Sequence, residues 1–158
     1  MRNIKITLFA AIIFSMFLLT SKSYAHCEIP CGIYQDSLRI QMINEHIETI
    51  EKSMKMINKL SAEGEKNYNQ LVRWIINKEE HAKKIQKIIS QYFLHQRIKL
   101  TDPNDKEKYT KYLNQLASLH EILVYSMKAK QTTDLSYIKK LEDSVHKFAG
   151  LYFHKHKH

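Results

Sequence analysis

Residues 37–60 read SLRIQMINEHIETIEKSMKMINKL. Within them Ile43, Ile47, Ile50, Met54 and Ile57 recur in steps of four and three. That spacing lines one face of an α-helix, because residues three and four apart lie above one another. No glycine or proline interrupts the run, and Glu, Gln, Lys and Asn fill the other faces. The stretch predicts an amphipathic helix with a single apolar seam. Such a helix gains most of its stability from other elements that cover the seam.

Three further segments can supply that cover. Ser61-Ala62-Glu63-Gly64 breaks the first helix. A second helix is expected over about 66–95, with Leu71, Trp74, Ile75, Ala82, Ile85, Ile88, Ile89, Tyr92 and Phe93 on its apolar side. Thr101-Asp102-Pro103 stops it and offers a capping group ahead of a proline at a first helical position. A third helix is expected over about 105–129, with Tyr109, Leu113, Leu116, Leu123 and Met127 facing inward. Thr132-Thr133-Asp134 caps a fourth helix carrying Leu135, Ile138, Leu141, Val145, Phe148 and Tyr152. Four amphipathic helices joined by short connections predict an all-α fold, an antiparallel up-and-down four-helix bundle over 37–153.

Composition agrees. Three Gly and two Pro in 158 residues favour long helices over sheet or disorder, and the length suits one domain. The formal net charge is +9, but basic residues alternate with Glu and Asp along the helices, which describes a solvated surface. No basic stripe with aromatic platforms is present, so nucleic acid is not an expected partner. A di-iron bundle needs Glu-x-x-His pairs. His46, His81 and His120 each lack a glutamate three positions earlier. A c-type haem site, Cys-x-x-Cys-His, is also absent. The helices therefore read as scaffold.

The chemistry lies ahead of them. Residues 1–25 read as a secretory signal peptide, with Arg2 and Lys5, an apolar run from Ile6 to Leu19, and Ser23-Tyr24-Ala25 as a cleavage site. The run is short for a membrane span. Lipid attachment at Cys27 would need a small residue before it, and His26 stands there. Cleavage after Ala25 makes the protein an exported one, periplasmic or secreted, with no membrane contact afterwards.

The same cleavage frees the α-amine of His26. The new terminus, His26-Cys27-Glu28-Ile29-Pro30-Cys31-Gly32-Ile33-Tyr34, carries an amine, an imidazole, two thiols and a backbone amide within its first six residues. An α-amine with a pKa of roughly 8 can lose its proton near neutrality. The amine and the Cys27 amide nitrogen close one chelate ring, and the Cys27 thiolate closes the next. A turn at Pro30 returns Cys31 to the fourth position. Two nitrogens and two sulfurs in a plane suit Ni(II) or Cu(II), whereas zinc prefers a tetrahedron. The His26 imidazole can reach an axial position. A disulfide between Cys27 and Cys31 is the plainer alternative for an exported chain.

The stretch His-Cys-x-x-Pro-Cys-Gly-x-Tyr at 26–34 resembles the nickel hook of nickel superoxide dismutases. Lys78-Glu79-Glu80-His81-Ala82 and Ser90-Gln91-Tyr92-Phe93 look like the family's second-helix segments. The resemblance implies one nickel ion per subunit held by His26, Cys27 and Cys31, with turn geometry set by Pro30 and Gly32. It implies a homohexamer and disproportionation of superoxide to dioxygen and hydrogen peroxide through a Ni(III)/Ni(II) ping-pong cycle. Tyr34 would gate the metal, with Tyr92 behind it. The chain departs from the family's pattern at Glu28, where Asp is usual. It departs again at Gln41 and His81, which stand where a Glu and an Arg orient the axial imidazole. These residues are the expected surroundings of the ligands. A nickel or copper carrier that binds with the same donors but does not turn over is the competing function. The segment His154-Lys155-His156-Lys157-His158 reads as a polar tail without function, or else as a nickel buffer.

Overall fold

The computed structural model describes residues 35–153. The expected signal peptide, the hook at 26–34 and the tail at 154–158 lie outside the described residues. Helix α1 spans Asp36–Ala62, one residue earlier than the sequence pattern marks. A short 3-10 turn at Glu65–Asn67 leads into α2, Tyr68–Lys87. Helix α2 runs on as a π-helical segment, Ile88–Arg97. Helices α3, Lys106–Gln131, and α4, Ser136–Phe153, complete the described residues. Each of α1 and α3 packs against both α2 and α4. That is the all-α four-helix bundle the periodicity predicts.

The α1 seam is as expected: Ile43, Ile47, Ile50, Met54 and Ile57 are all buried, and Ser53 and Leu60 join them. At its end Gly64 takes a φ of 78°, a left-handed conformation that other residues adopt at a cost. The chain reverses there and α2 returns alongside α1. Asn77 donates to the Ser53 hydroxyl at 3.0 Å across the pair.

Three expectations need correction. In α2, Ala82, Ile85, Ile89, Tyr92 and Phe93 are buried, but Ile75 faces outward with Tyr68, Val72 and Ile76. Lys78 already reaches the last turn of α3, so the antiparallel first half of α2 runs beyond that helix. In α3 the inward face is Ser118, Leu119, Ile122, Ser126 and Ala129, while Leu113 and Met127 are exposed. The seam is rotated by about one residue. Ser118 and Ser126 can be buried because each hydroxyl donates to the carbonyl four residues earlier, at 2.8 and 2.7 Å. Leu135, expected on the fourth helix's inward face, stands just ahead of α4 and is exposed.

The caps also differ. Asp105, not the Thr101-Asp102-Pro103 group, caps α3 by accepting from the Lys108 amide at 3.2 Å. Asp102 instead accepts from the Asn104 amide at 2.9 Å and shapes the preceding turn. Asp134 accepts from the Ser136 amide at 2.9 Å, as the reading of the fourth helix's start requires.

Candidate functional site

The proposed ligands and gate, His26, Cys27, Cys31 and Tyr34, lie outside the described residues, as do Glu28, Pro30 and Gly32. What the structure describes is the platform from which that segment departs. Gln35 is extended, with φ −81° and ψ 127°, and its side chain makes no capping bond to α1. The next residue, Asp36, opens the helix. Its carboxylate turns away from its own helix toward two others. Tyr92 donates its hydroxyl proton to Oδ1 in a short hydrogen bond. Arg97 donates to Oδ2 at 2.7 Å, and the Tyr152 hydroxyl donates to the same oxygen at 2.8 Å.

The π-helical segment makes this convergence possible. Its hydrogen bonds run from residue i+5 to residue i, as in Ile98 N–H to the Phe93 carbonyl at 2.9 Å. That winding stacks position 97 near position 92. In an α-helix five residues would turn the second about 140° from the first. Phe93, buried beside them, packs edge-on against Phe148 and Tyr152 at centroid distances of 4.9 and 5.6 Å. Aromatic rings from α2 and α4 thus form a rigid floor under the carboxylate.

The electrostatics follow from the contacts. Burial alone would raise the Asp36 carboxyl, but hydrogen bonds from Arg97, Tyr92 and Tyr152 outweigh it and hold the group below its ordinary range. Burial and the Asp36 carboxylate push the Tyr92 phenol up to about 12. Tyr152 is raised by the same two causes. The guanidinium groups of Arg39 and Arg97 lie 5.1 and 5.8 Å from the centre of the Tyr92 ring. This end of the bundle therefore carries two cations around one paired carboxylate.

Of the residues proposed to surround the metal ligands, Tyr92 is buried in this cluster. His81 sits farther up α2, and its ring meets His46 of α1 edge-on, centroids 4.9 Å apart. Gln41 is exposed on α1. The structure thus brings His81 to His46 of α1. Burial lowers both imidazoles below their ordinary range, helped for each by the charge of Lys84 and for His46 also by His81. The buried Nδ1 of His81 has no hydrogen-bond partner among the described residues.

Asp36, Arg97, Tyr152 and His46 were not singled out by the sequence reading. A signal for two of them was present. Folding the chain back at Gly64 lays position 46 against position 82 and position 36 against position 92. The same reflection sets Gln41 against position 87, a turn and a half from His81.

Among the described residues no three His, Cys, Asp or Glu side chains converge into a group able to hold a metal ion. The residue types that suit nickel lie instead in the sequence of 26–31, which offers an imidazole and two thiols. Among the described residues the buried Nδ1 of His81 is left without a hydrogen-bond partner, as a group that orients a ligand through an outer hydrogen bond would be. No helix among the described residues is long and apolar enough to cross a membrane. The chain matches, over residues 21–157, the protein family described as nickel-containing superoxide dismutase. No curated protein and no solved structure matches it significantly.

Proposed function

The chain belongs to the nickel-containing superoxide dismutase family, and from that premise we propose that its nickel is held by His26, Cys27 and Cys31 at a terminus freed by cleavage after Ala25. The activity itself is nickel-dependent disproportionation of superoxide, an oxidoreductase reaction. The family match over most of the chain is the observation that carries it. The ligand assignment rests on the donor chemistry of 26–31 and on the hook motif.

In this reading one nickel ion per subunit, held by His26, Cys27 and Cys31, would supply the one-electron Ni(III)/Ni(II) couple by which one superoxide is oxidised to dioxygen and a second, with two protons, is reduced to hydrogen peroxide. The rest is done by the chain's own residues. The His26 amine, the Cys27 amide nitrogen and the thiolates of Cys27 and Cys31 would hold the ion, with the turn at Pro30 and Gly32 bringing Cys31 back toward Cys27. Tyr34 limits access to water and small anions, and coordination to nickel would withhold the thiolate lone pairs from the peroxide formed. Arg39 and Arg97, beside Tyr92, give a positive field that favours the arrival of a small anion. Tyr92 holds its own proton on Asp36, so its phenol oxygen serves as an acceptor that orders water. His81 is proposed to orient the His26 ring through its partnerless Nδ1, with Glu28 and Gln41 lining the surroundings.

Export to the periplasm or beyond follows from the reading of residues 1–25. Assembly into a homohexamer follows from the resemblance, and the outward apolar stripe of Tyr68, Val72 and Ile76 supports a surface for self-association. The test is a metal analysis joined to a superoxide assay on the processed protein. About one nickel per chain with turnover is expected, and Cys27→Ser and Cys31→Ser should each remove both nickel and activity. Nickel bound without turnover would turn the reading toward a carrier.

A further inference from the structure

We propose that Asp36 is a positioning residue for the reaction: it ties the point where the metal-binding segment leaves the bundle to α2 and α4, and it commits the Tyr92 proton to the protein interior. The proposal rests on the nickel site assigned above, because it concerns the segment that ends two residues before Asp36.

The geometry separates this carboxylate from an ordinary helix-start acid. An acid in a first turn commonly caps its own helix or sits in solvent near the positive helix end. Asp36 does neither. Gln35, at the capping position, makes no side-chain bond to the helix, and Asp36 accepts three hydrogen bonds, all from other elements. One of these is an ion pair with Arg97, with the Asp36 side chain only 17% exposed. Hydrogen bonds to an ionised acceptor are stronger than neutral ones and fix direction better. Three donors from two helices therefore determine where residue 36 stands, and so where the preceding chain begins.

The second consequence is chemical. A phenol has one proton to donate and lone pairs to accept with. Asp36 takes the proton, so Tyr92 faces any further neighbour as an acceptor. An anion such as superoxide has nothing to donate to it. A water molecule does, and it can then turn its other proton toward the anion. Tyr92 acts on the substrate through ordered water, and Asp36 sets that polarity. Among the described residues, the charged and titratable groups that face the pair include Arg39 on α1, Arg97 on the π-helical segment and Tyr152 on α4.

The test uses Asp36→Asn in the full processed protein, with Tyr92→Phe and the double variant beside it. Asn keeps the shape and one acceptor oxygen but sets an amide nitrogen against the Arg97 and Tyr152 donors. Nickel content should stay at the wild-type level while turnover per nickel falls about 10-fold or more. The alkaline limb of the pH profile should move to lower pH. Tyr92→Phe should show a similar loss, and the double variant little beyond it, because the two residues act as one unit. In metal-free protein, the most alkaline tyrosine transition in an ultraviolet titration, absent in Tyr92→Phe, should drop in pH in Asp36→Asn. Unchanged turnover per nickel in Asp36→Asn, or a loss only in proportion to nickel, overturns the proposal. If Asp36→Asn does not fold, wild-type turnover and an unchanged alkaline limb in Tyr92→Phe overturn it equally. A wild-type protein without nickel or superoxide turnover would instead sink the nickel site. An unmoved tyrosine transition in metal-free Asp36→Asn would sink the Asp36–Tyr92 contact separately.

Discussion

Lys78 and Asp36 are both charges drawn in from solvent, and the bundle uses them differently. Lys78 is 4% exposed. Its ammonium donates to the backbone carbonyls of Ala129, Lys130 and Thr132, two of them at 3.0 Å. The first two are among the carbonyls that the end of α3 leaves without helical partners, at the negative end of its dipole, and Thr132 follows directly on the helix. Burial draws the Lys78 ammonium below its ordinary range, with nearby Glu79 opposing. Any sequence in α3 would present the same carbonyls, so Lys78 needs only length and charge. Asp36 instead depends on a tyrosine and an arginine from one helix and a tyrosine from another. The first arrangement closes a helix end. The second fixes particular side chains relative to each other, which is what a reacting site requires.

The largest effect expected from this contrast is on stability. Lys78→Met keeps the buried stem but leaves three carbonyls without their donor. It should cost about 3 kcal/mol, read as a lower urea midpoint, with turnover per nickel unchanged in the folded fraction. A midpoint within about 0.5 kcal/mol of wild type would show that Lys78 is not needed to close α3. A fall in turnover per nickel would erase the distinction between the two charges.

The next effect is one of pH. Tyr92 is raised to about 12 in the fold, so its contribution is complete below the ordinary tyrosine value of about 10 and is lost as pH climbs from there to about 12. Asp36 is lowered, so its contribution is present above the ordinary carboxylate value of about 4 and is lost as pH falls through its depressed value. Thermal melts across pH should show both losses. Tyr92→Phe should shrink the alkaline one, leaving the part that Tyr152 contributes, and alkaline melts identical to wild type would contradict the assignment.

The smallest effect belongs to the His46–His81 pair. Both imidazoles are lowered, so the unfolded chain takes up protons first as pH falls below about 6.5, and stability declines in that direction. His81→Ala should flatten this acid slope slightly. If His81 also orients the His26 ring, the variant should lower turnover while leaving nickel nearly intact. Unchanged kinetics would make the pair a packing contact alone.

The α1 seam was fully legible because large aliphatic residues recur without competition. The α3 seam was not, because the pattern follows residue size. Helix α3 turns Ser118, Ser126 and Ala129 inward and leaves Leu113 and Met127 outside. Small side chains permit close approach, and a serine that bonds its own helix carries no unmet polarity into the core. The π-helical segment was also hidden, since local periodicity does not reveal a winding whose side chains meet a carboxylate 56 residues earlier. Tyr92 could be singled out through the family resemblance. Its partner Asp36 could have been found by reflecting the chain about Gly64, whereas Arg97 needed the π-helical winding and Tyr152 the docking of α4.

The central claim is that the amine created at His26 is a nickel ligand, and one comparison tests it most directly. The processed protein, shown by mass spectrometry to begin at His26, is set beside the same protein with Ala25 left in place. The retained residue converts the amine into an amide and changes nothing in the bundle. Nickel-dependent superoxide turnover should be present in the first and mostly lost in the second. Equal turnover in the two would contradict the account.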